Sequence, residues 1–227
     1  GMQTDIRMGF IEVPAQSKQS ILSACEDPAT ISKYNFGGIS YPLPQTGQMW
    51  LEHELLKNPS LTGVYCVTTS YRDEPNPIEG RHDTIFPMFE FESRGNINDM
   101  IDVEEQLLKF FNFASPKELR YEYMASRYQA EILEAEHEER MQQEFGNVIS
   151  LQYFPKRTQP FWNMEYAGYG EYSKVDVILH GMETIGSAQR SCNPDEMRKR
   201  FYEISDGEYA NLLFSHFGKK RVEAELN

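Results

Sequence analysis

The sequence predicts an α+β fold in which an antiparallel β-sheet is flanked by helices. Strand-like and helical segments are mixed along the 227 residues without the regular alternation of a parallel βαβ fold. Two neighbouring segments, GVYCVTTSYR and IFPMFEFE, are strand-like and are joined by a polar loop. We therefore expect them to pair as an antiparallel hairpin, which begins the sheet.

The first elements follow from their apolar spacing. GFIEVPAQ is strand-like up to Pro14. TGQMWLEHELLKNP predicts a helix that ends before Pro59, because Trp50, Leu51 and Leu55 recur at helical spacing. After the hairpin, NDMIDVEEQLLKFFNF has the pattern of an amphipathic helix.

A further helix is predicted to begin at Ser115, which is a favourable N-cap. Pro116 would occupy the first helical position, and Glu118 would complete a capping box three residues after the cap. Helical sequence continues with interruptions to Gly146. The remaining segments are two strands, VISLQYF and SKVDVILHG, and two helices, NPDEMRKRFYEI and GEYANLLFSHF.

Composition limits the classes of function. The chain has 22 basic and 35 acidic residues, for a formal net charge of -13, which disfavours strong tRNA or DNA binding by this chain alone. Apolar residues make up 40%, enough for a substantial core. Without an internal repeat or an obvious linker, we expect residues 1–227 to form a single domain.

The cysteines and the hydropathy pattern suggest a location. Cys25, Cys66 and Cys192 are odd in number and widely scattered, which indicates neither a disulfide framework nor a zinc site. No apolar run approaches the roughly 20 residues of a membrane span. We therefore expect a cytoplasmic protein with reduced thiols and no membrane partner.

The predicted hairpin concentrates charged residues around one loop. Because side chains alternate along a strand, two sets should each share a face. They are Thr68, Ser70 and Arg72 on the first strand, and Phe86, Met88, Glu90 and Glu92 on the second. Arg72 and Glu90 could then face one pocket, with Arg81 and His82 reaching in from the loop. Arginine suits phosphate oxygens and a carboxylate suits an ammonium group. The structural alternative is a solvated hairpin whose charges pair with each other.

Four ordered blocks resemble one known family. TSYRDE, a loop, RH and then IFPMFEFE resemble motif 2 of the class II aminoacyl-tRNA synthetases, in the aspartyl and asparaginyl branch. TGQMWLE, YFPKRTQPFWNM and METIGSAQRS resemble further segments of the same branch, in the same order. GFIEVPAQ is a weaker match to motif 1, which carries the dimer interface in that family. The resemblance implies a class II catalytic fold and a homodimer.

The resemblance implies an ATP site in the hairpin. Arg72 would hold the α-phosphate of ATP, and Glu74 would contact the adenine end. Arg81 or His82 would meet the outer phosphates, and Phe86 would stack on adenine. Adenylate formation requires mainly positioning and charge neutralisation, which this set could provide.

The resemblance also implies positions for the amino acid and for Mg²⁺. Gln48 and Glu90 would hold the ammonium group of the amino acid. Asp176 and Glu183 match the family's acidic residues near Mg²⁺. Arg190 matches the arginine that recognises the side-chain carboxylate or amide, and it joins Arg72 and Glu74 as an expected catalytic residue.

The sequence departs from the family pattern at several positions. Ile85 replaces a motif 2 glutamate, and Gly186-Ser187-Ala188 stands where the family has a glycine-rich stretch. We also expect the motif 3 region and the OB anticodon-binding domain to be missing from residues 1–227.

Two functions remain open on these residues. The first is an ATP-dependent ligase that forms an adenylate of asparagine or aspartate, either for transfer to tRNA or for asparagine synthesis. The second is a catalytically inactive paralogue that binds an amino acid or a nucleotide as a regulatory or interaction protein. Leu51 favours asparagine, because aspartyl enzymes have a lysine there, whereas PFWNM is closer to the aspartyl pattern.

Overall fold

The computed structural model describes residues 9–15, 27–80 and 82–226. The chain divides into two compact units. We call residues Gly95–Ser205 the central unit, and Met2–Arg94 together with Asp206–Asn227 the split unit. Each unit combines strands with helices.

The split unit contains the predicted hairpin. Strands β4 (Gly63–Tyr71) and β5 (Ile85–Ser93) pair antiparallel along their whole length, which confirms the two strand segments and their pairing. Strand β1 (Ile11–Glu12) pairs with β4 in the parallel direction. This sheet is therefore mixed, whereas the sequence predicted an antiparallel one.

Helix α1 (Gln48–Lys57) covers part of one face of this sheet. Leu51 and Leu55, two of the residues whose spacing predicted the helix, are buried against Val64 and Cys66. The apolar stripe of the helix thus packs on the strand pair, which fixes the loop before α1 next to the same face.

A second hairpin was not predicted. Strands β2 (Lys33–Phe36) and β3 (Ile39–Pro42) pair antiparallel around Gly37 and Gly38. Both glycines have positive φ angles, +59° and +77°, which suit a two-residue hairpin turn. The Gly-Gly pair was the available signal.

The split unit is completed by residues from the C-terminal part of the chain. Helix α6 (Glu208–Phe217) was predicted, and it lies against a short 3₁₀ helix at Pro28–Thr30. After Gly218, helix α7 (Lys219–Glu225) follows.

The central unit is built on one sheet with the strand order β10, β9, β7, β6. A short strand, β8, also pairs with β9. The strands are β6 (Lys117–Arg120), β7 (Val148–Pro155), β8 (Tyr166–Gly168), β9 (Glu171–Leu179) and β10 (Met182–Ala188). The helices are α2 (Ile97–Phe110), α3 (Tyr121–Tyr128), α4 (Ala135–Phe145) and α5 (Pro194–Glu203).

The helix predicted to begin at Ser115 is wrong. Lys117–Arg120 forms strand β6, which runs parallel to β7, and α3 begins only at Tyr121. The Ser115 hydroxyl donates to Glu105 at 2.8 Å and does not cap a helix. Strand pairing and burial of Leu119 against the sheet outweigh the local capping pattern.

The central sheet is covered on both faces. One face packs against α3 and α4 through Leu119, Met124, Met141, Ile149, Leu151 and Ile178. The other packs against α2 through Met100, Leu108, Val148, Val175 and Val177. Successive side chains along β9 and β10 therefore point alternately to the face covered by α3 and α4 and to the face covered by α2.

Membrane insertion was not expected from the sequence. Within residues 9–15, 27–80 and 82–226, no helix has both the length and the apolar character needed to span a bilayer.

Candidate functional site

Glu90 is held in place by three hydrogen bonds. The Thr68 hydroxyl and the Gly47 backbone N–H each donate to Glu90 Oε2 at 2.7 Å. The Thr46 hydroxyl donates to the other oxygen, Oε1. Because Thr46 and Thr68 are both buried, the carboxylate has a defined orientation on this face of the sheet.

Gly47 allows this close packing. A Cβ atom at this position would lie 2.9 Å from Cys66 Sγ, 3.0 Å from Thr68 Cγ2 and 3.1 Å from Glu90 Oε2. Gly47 is also the N-cap of α1, so the Glu90 carboxylate lies at the positive end of the helix dipole.

Cys66 lies opposite Glu90 on the neighbouring strand. Burial, and then the negative charges of Glu90 and Glu12, raise the pKa of the Cys66 thiol to about 12. The thiol therefore stays protonated at neutral pH and acts as a small packing group.

Arg72 lies at the other end of the same face. Its Nε donates to the Ser70 hydroxyl oxygen at 3.4 Å, and its guanidinium carbon lies 5.7 Å from the centre of the Phe86 ring. The Arg72 backbone N–H donates to Thr84 at 2.8 Å, which continues the hairpin beyond β4. The backbone of Arg72 therefore remains paired with the opposite strand of the hairpin, one residue beyond the end of β4.

The structure places Arg72 and Glu90 in one row. Cys66 pairs with Glu90, and Ser70 pairs with Phe86. At about 3.3 Å per residue, Arg72 lies roughly 20 Å along the strand from the Cys66–Glu90 pair. The predicted shared face is confirmed, with the hydroxyls of Thr68 and Ser70 between the two charged side chains.

The other ATP candidates lie in the hairpin loop. Glu74 is partly buried, and His82 is exposed. His82 closes a turn with Ile78: its backbone N–H donates to the Ile78 carbonyl at 2.9 Å, and its Nδ1 accepts from the Ile78 N–H at 3.2 Å. Arg81 lies outside the described residues.

Gln48 is the first residue of α1 and follows Gly47. Its backbone N–H donates to the Thr46 hydroxyl oxygen at 3.1 Å, so it belongs to the hydrogen-bond network around Glu90. Its side-chain Nε2 lies 3.5 Å from Glu52 Oε1 on the next turn.

In the central unit, the two predicted magnesium residues converge at Gly186. A Cβ atom on Gly186 would lie 3.0 Å from Glu183 Oε1 and 3.7 Å from Asp176 Oδ1. Asp176 pairs with Gly186 across β9 and β10, and Glu183 is exposed at the start of β10. The absence of a side chain at Gly186 allows the two carboxylates to approach the same point.

Asp176 is also paired with a lysine. Lys174 Nζ donates to Asp176 Oδ1 at 2.6 Å, from two residues away on the same strand. Burial raises the pKa of Asp176, whereas the charge and hydrogen bond of Lys174 act in the opposite direction. The Lys174 ammonium lies 4.0 Å from the centre of the Phe154 ring, which holds it over the sheet.

The donor set fits a magnesium site shared with a ligand. In the described part of the chain, no three His, Cys, Asp or Glu side chains converge as a metal site. Mg²⁺ commonly uses one or two carboxylates together with substrate phosphates, and Asp176 and Glu183 provide two. Lys174 would have to share Asp176 with the ion.

Arg190 follows β10 and contacts a buried amide. Its Nη1 donates to Asn163 Oδ1 at 3.3 Å, and Asn163 is only 1% exposed. The neighbouring Ser191 N–H donates to the Asn163 carbonyl at 2.8 Å. Asn163 therefore contacts the side chain of Arg190 and the backbone of the next residue, Ser191.

A buried acid on the opposite face was missed. Ser187 contacts the Glu104 carboxyl group and the Val175 carbonyl, the latter at 3.2 Å, so its side chain lies on the face opposite to Asp176. Burial raises the pKa of Glu104 to about 7. The signal was available, because Glu104 is spaced four residues from Met100 and Leu108 on the apolar face of α2.

The chain matches the model of a known protein family. Residues 7–221 match the family model of class II tRNA synthetases (D, K and N). No curated protein sequence matches the chain.

Solved structures share the fold at low sequence identity. The asparaginyl-tRNA synthetase of Pyrococcus horikoshii, complexed with asparaginyl-adenylate, has a TM-score of 0.76 and 19% identity, over 99% of this chain and 62% of its own. The asparaginyl-tRNA synthetase of Entamoeba histolytica has a TM-score of 0.70 and 18% identity, over 99% and 61%. The aspartyl enzyme of E. histolytica has a TM-score of 0.67 and 18% identity, over 96% and 49%.

The solved structures confirm the predicted α+β fold, and the family model, which spans D, K and N enzymes, agrees with the resemblance found in the sequence. The chain spans less than two thirds of the length of each of these three structures.

Proposed function

Since the chain belongs to the class II tRNA synthetase (D, K and N) family, we propose that it binds ATP and asparagine or aspartate and joins them as an aminoacyl adenylate. The observation that carries the proposal is the Glu90 carboxylate, oriented by Thr46, Gly47 and Thr68 on the face that also bears Arg72. A surface acid with no ligand would not need three buried donors.

Glu90 would receive the ammonium group of the amino acid. A carboxylate has about four acceptor positions, and Thr46, Gly47 and Thr68 use three of them. The remaining position, together with the negative charge, suits one N–H of an ammonium group. Gln48, next to Gly47, would hold the same group from the start of α1.

Arg72 would neutralise the α-phosphate of ATP. Phe86, whose ring lies beside the Arg72 guanidinium, would stack on the adenine. Glu74 would contact the adenine end, and Arg81 or His82 would meet the outer phosphates. The amino acid carboxylate then attacks the α-phosphorus and pyrophosphate leaves, so catalysis is mainly positioning and charge stabilisation.

In the central unit, Asp176 and Glu183 would hold Mg²⁺ together with phosphate oxygens. The ion would supply positive charge at the phosphates. Arg190 would recognise the side-chain carboxylate or amide of the amino acid, steadied by Asn163.

The acceptor of the activated amino acid is tRNA or ammonia in this proposal. The net charge of -13 favours the small acceptor, because this chain would repel a tRNA backbone. We further propose a homodimer, from the likeness of GFIEVPAQ to motif 1, and a cytoplasmic location, from the scattered cysteines.

The test is pyrophosphate exchange into ATP, measured with Mg²⁺ and with asparagine and aspartate separately. Exchange with one of them would identify the substrate. Arg72→Ala should lower exchange at least a hundredfold, whereas Lys57→Ala, at an exposed position on α1, should leave it unchanged. A wild-type protein that exchanges with neither amino acid overturns the ligase and favours the inactive paralogue.

A further inference from the structure

We propose that Arg200 on α5 is a positioning residue that holds the turn of residues 160–164 and thereby sets the Arg190 guanidinium for recognition of the amino acid side chain. The inference rests on the proposed function, because it takes Arg190 as the recognition residue. Neither the sequence pattern nor the similarity of fold points to Arg200.

The guanidinium of Arg200 binds three backbone carbonyls of that turn. Nη1 donates to Met164 at 2.7 Å, and Nη2 donates to Pro160 at 2.8 Å and to Phe161 at 2.9 Å. The guanidinium also lies over the Tyr172 ring of β9, with its carbon 4.1 Å from the ring centre. Arg200 thus joins both ends of the turn to β9, an inner strand of the central sheet.

The next residue on α5 secures the middle of the turn. Phe201 is fully buried, and its ring meets the Trp162 ring edge to face, with centres 5.6 Å apart and planes at 90°. The Met164 N–H also donates to the Phe161 carbonyl at 3.1 Å, which closes the turn internally. The backbone of residues 160–164 is therefore fixed by α5 from two adjacent positions.

Asn163 connects the turn of residues 160–164 to Arg190. Its carbonyl accepts from Ser191 at 2.8 Å, and its Oδ1 accepts from Arg190 Nη1 at 3.3 Å. Met164 and Arg190 also form an isolated antiparallel bridge. Because Asn163 is 1% exposed, it has little room to adjust, so a shift of the turn moves the contact on Arg190.

The contact requires an arginine. Three carbonyls are reached at once by a planar group with several N–H donors, while the same plane stacks on an aromatic ring. A lysine at position 200 would keep the charge but could not make all of these contacts. Arg200→Lys is therefore a conservative variant that should only partly restore function.

The experiment compares Arg200→Gln and Arg200→Lys with Lys199→Gln. Lys199 is the preceding residue, and its side chain is 72% exposed beside Glu203, so it is a control on the same helix. In pyrophosphate exchange, Arg200→Gln should raise the KM for the amino acid at least tenfold and change the KM for ATP less than twofold. Arg200→Lys should fall between wild type and Arg200→Gln. Amide hydrogen exchange at Ser191 should accelerate most in Arg200→Gln, less in Arg200→Lys, and should stay at the wild-type rate in Lys199→Gln.

The outcomes separate the two proposals. A wild-type protein without exchange overturns the proposed function and this inference with it. If the wild-type protein exchanges but Arg200→Gln leaves the KM for the amino acid unchanged, the inference alone is overturned. The same holds if Arg200→Gln raises the KM for the amino acid and the KM for ATP equally. If Arg200→Gln does not fold, Asn163→Ala decides, because it removes the contact to Arg190 and leaves the carbonyl contacts of Arg200. It should raise the amino acid KM selectively, and an unchanged KM would contradict the proposal.

Discussion

Thr68 on β4 donates its hydroxyl hydrogen to Glu90 on β5, and the two oxygens are 2.7 Å apart. Replacing Thr68 by valine keeps the shape and removes this donor. We expect Thr68→Val to weaken amino acid binding severalfold and to lower the free energy of unfolding by about 1.5–3 kcal/mol, the range for a hydrogen bond to a charged group. Calorimetric titration and urea denaturation measure the two effects. Thr69→Val, on the exposed opposite face, is the matched control and should change neither.

Gly47→Ala tests the packing around the same carboxylate. The added methyl group would lie 2.9 Å from Cys66 Sγ and 3.1 Å from Glu90 Oε2, closer than normal contact. We expect a loss of about 1–3 kcal/mol in the free energy of unfolding, typical of overpacking, measured by urea denaturation. Lys57→Ala at the exposed end of α1 is the control. Stability equal to that of the wild type would show that this loop adjusts freely.

Lys174→Met tests whether a lysine competes with magnesium. Because Lys174 holds Asp176 Oδ1 at 2.6 Å, its removal should free the carboxylate for the ion. We expect half-maximal pyrophosphate exchange at a severalfold lower Mg²⁺ concentration. Lys156→Met, at an exposed position, should not shift the magnesium dependence. A higher requirement for Mg²⁺ in Lys174→Met would mean that Lys174 supports the site.

Glu104 should make stability depend on pH. Its folded pKa, raised by burial to about 7 from 4.5, means that the folded state retains a proton that the unfolded state loses. The associated stability is fully present below about pH 4.5 and is lost as the pH rises through 7, which amounts to about 3 kcal/mol.

Glu104→Gln should therefore have a flatter profile of unfolding free energy between pH 4.5 and 7, and should gain relative to wild type as the pH rises. Urea denaturation at several pH values measures this. Asp102→Asn, an exposed acid on the same helix, should keep the slope of the wild type. Parallel profiles for wild type and Glu104→Gln would contradict a buried neutral carboxyl group.

Sequence patterns predicted those parts of the fold that depend on residues close together in the sequence. Alternation along residues 63–93 gave the hairpin and the shared face of Arg72 and Glu90, because a strand has a period of two. The capping pattern at Ser115 failed, because the pairing of β6 with β7 depends on residues about thirty positions later.

The candidate site was only partly accessible to sequence reasoning. Matching motifs selected Arg190 as a candidate but gave no reason to select Asn163 or Arg200, whose contacts join residues 27 and 36 or more positions apart. The pairing of Lys174 with Asp176 was also missed, although the two residues are two positions apart on one strand and therefore share a face. The alternation rule could have found that pair; no local rule leads to the Arg200 contacts.

The split unit has a consequence for how the protein is made. Its first part, up to Arg94, leaves the ribosome before the central unit, and its last part, from Asp206, leaves after it. The central unit is continuous and can fold during translation, as domains generally do. The 3₁₀ helix at Pro28–Thr30 must wait for α6 before it gains its packing partner. The split unit thus remains incomplete while more than a hundred residues are added. We expect chaperones to bind its exposed apolar surface mainly during that interval.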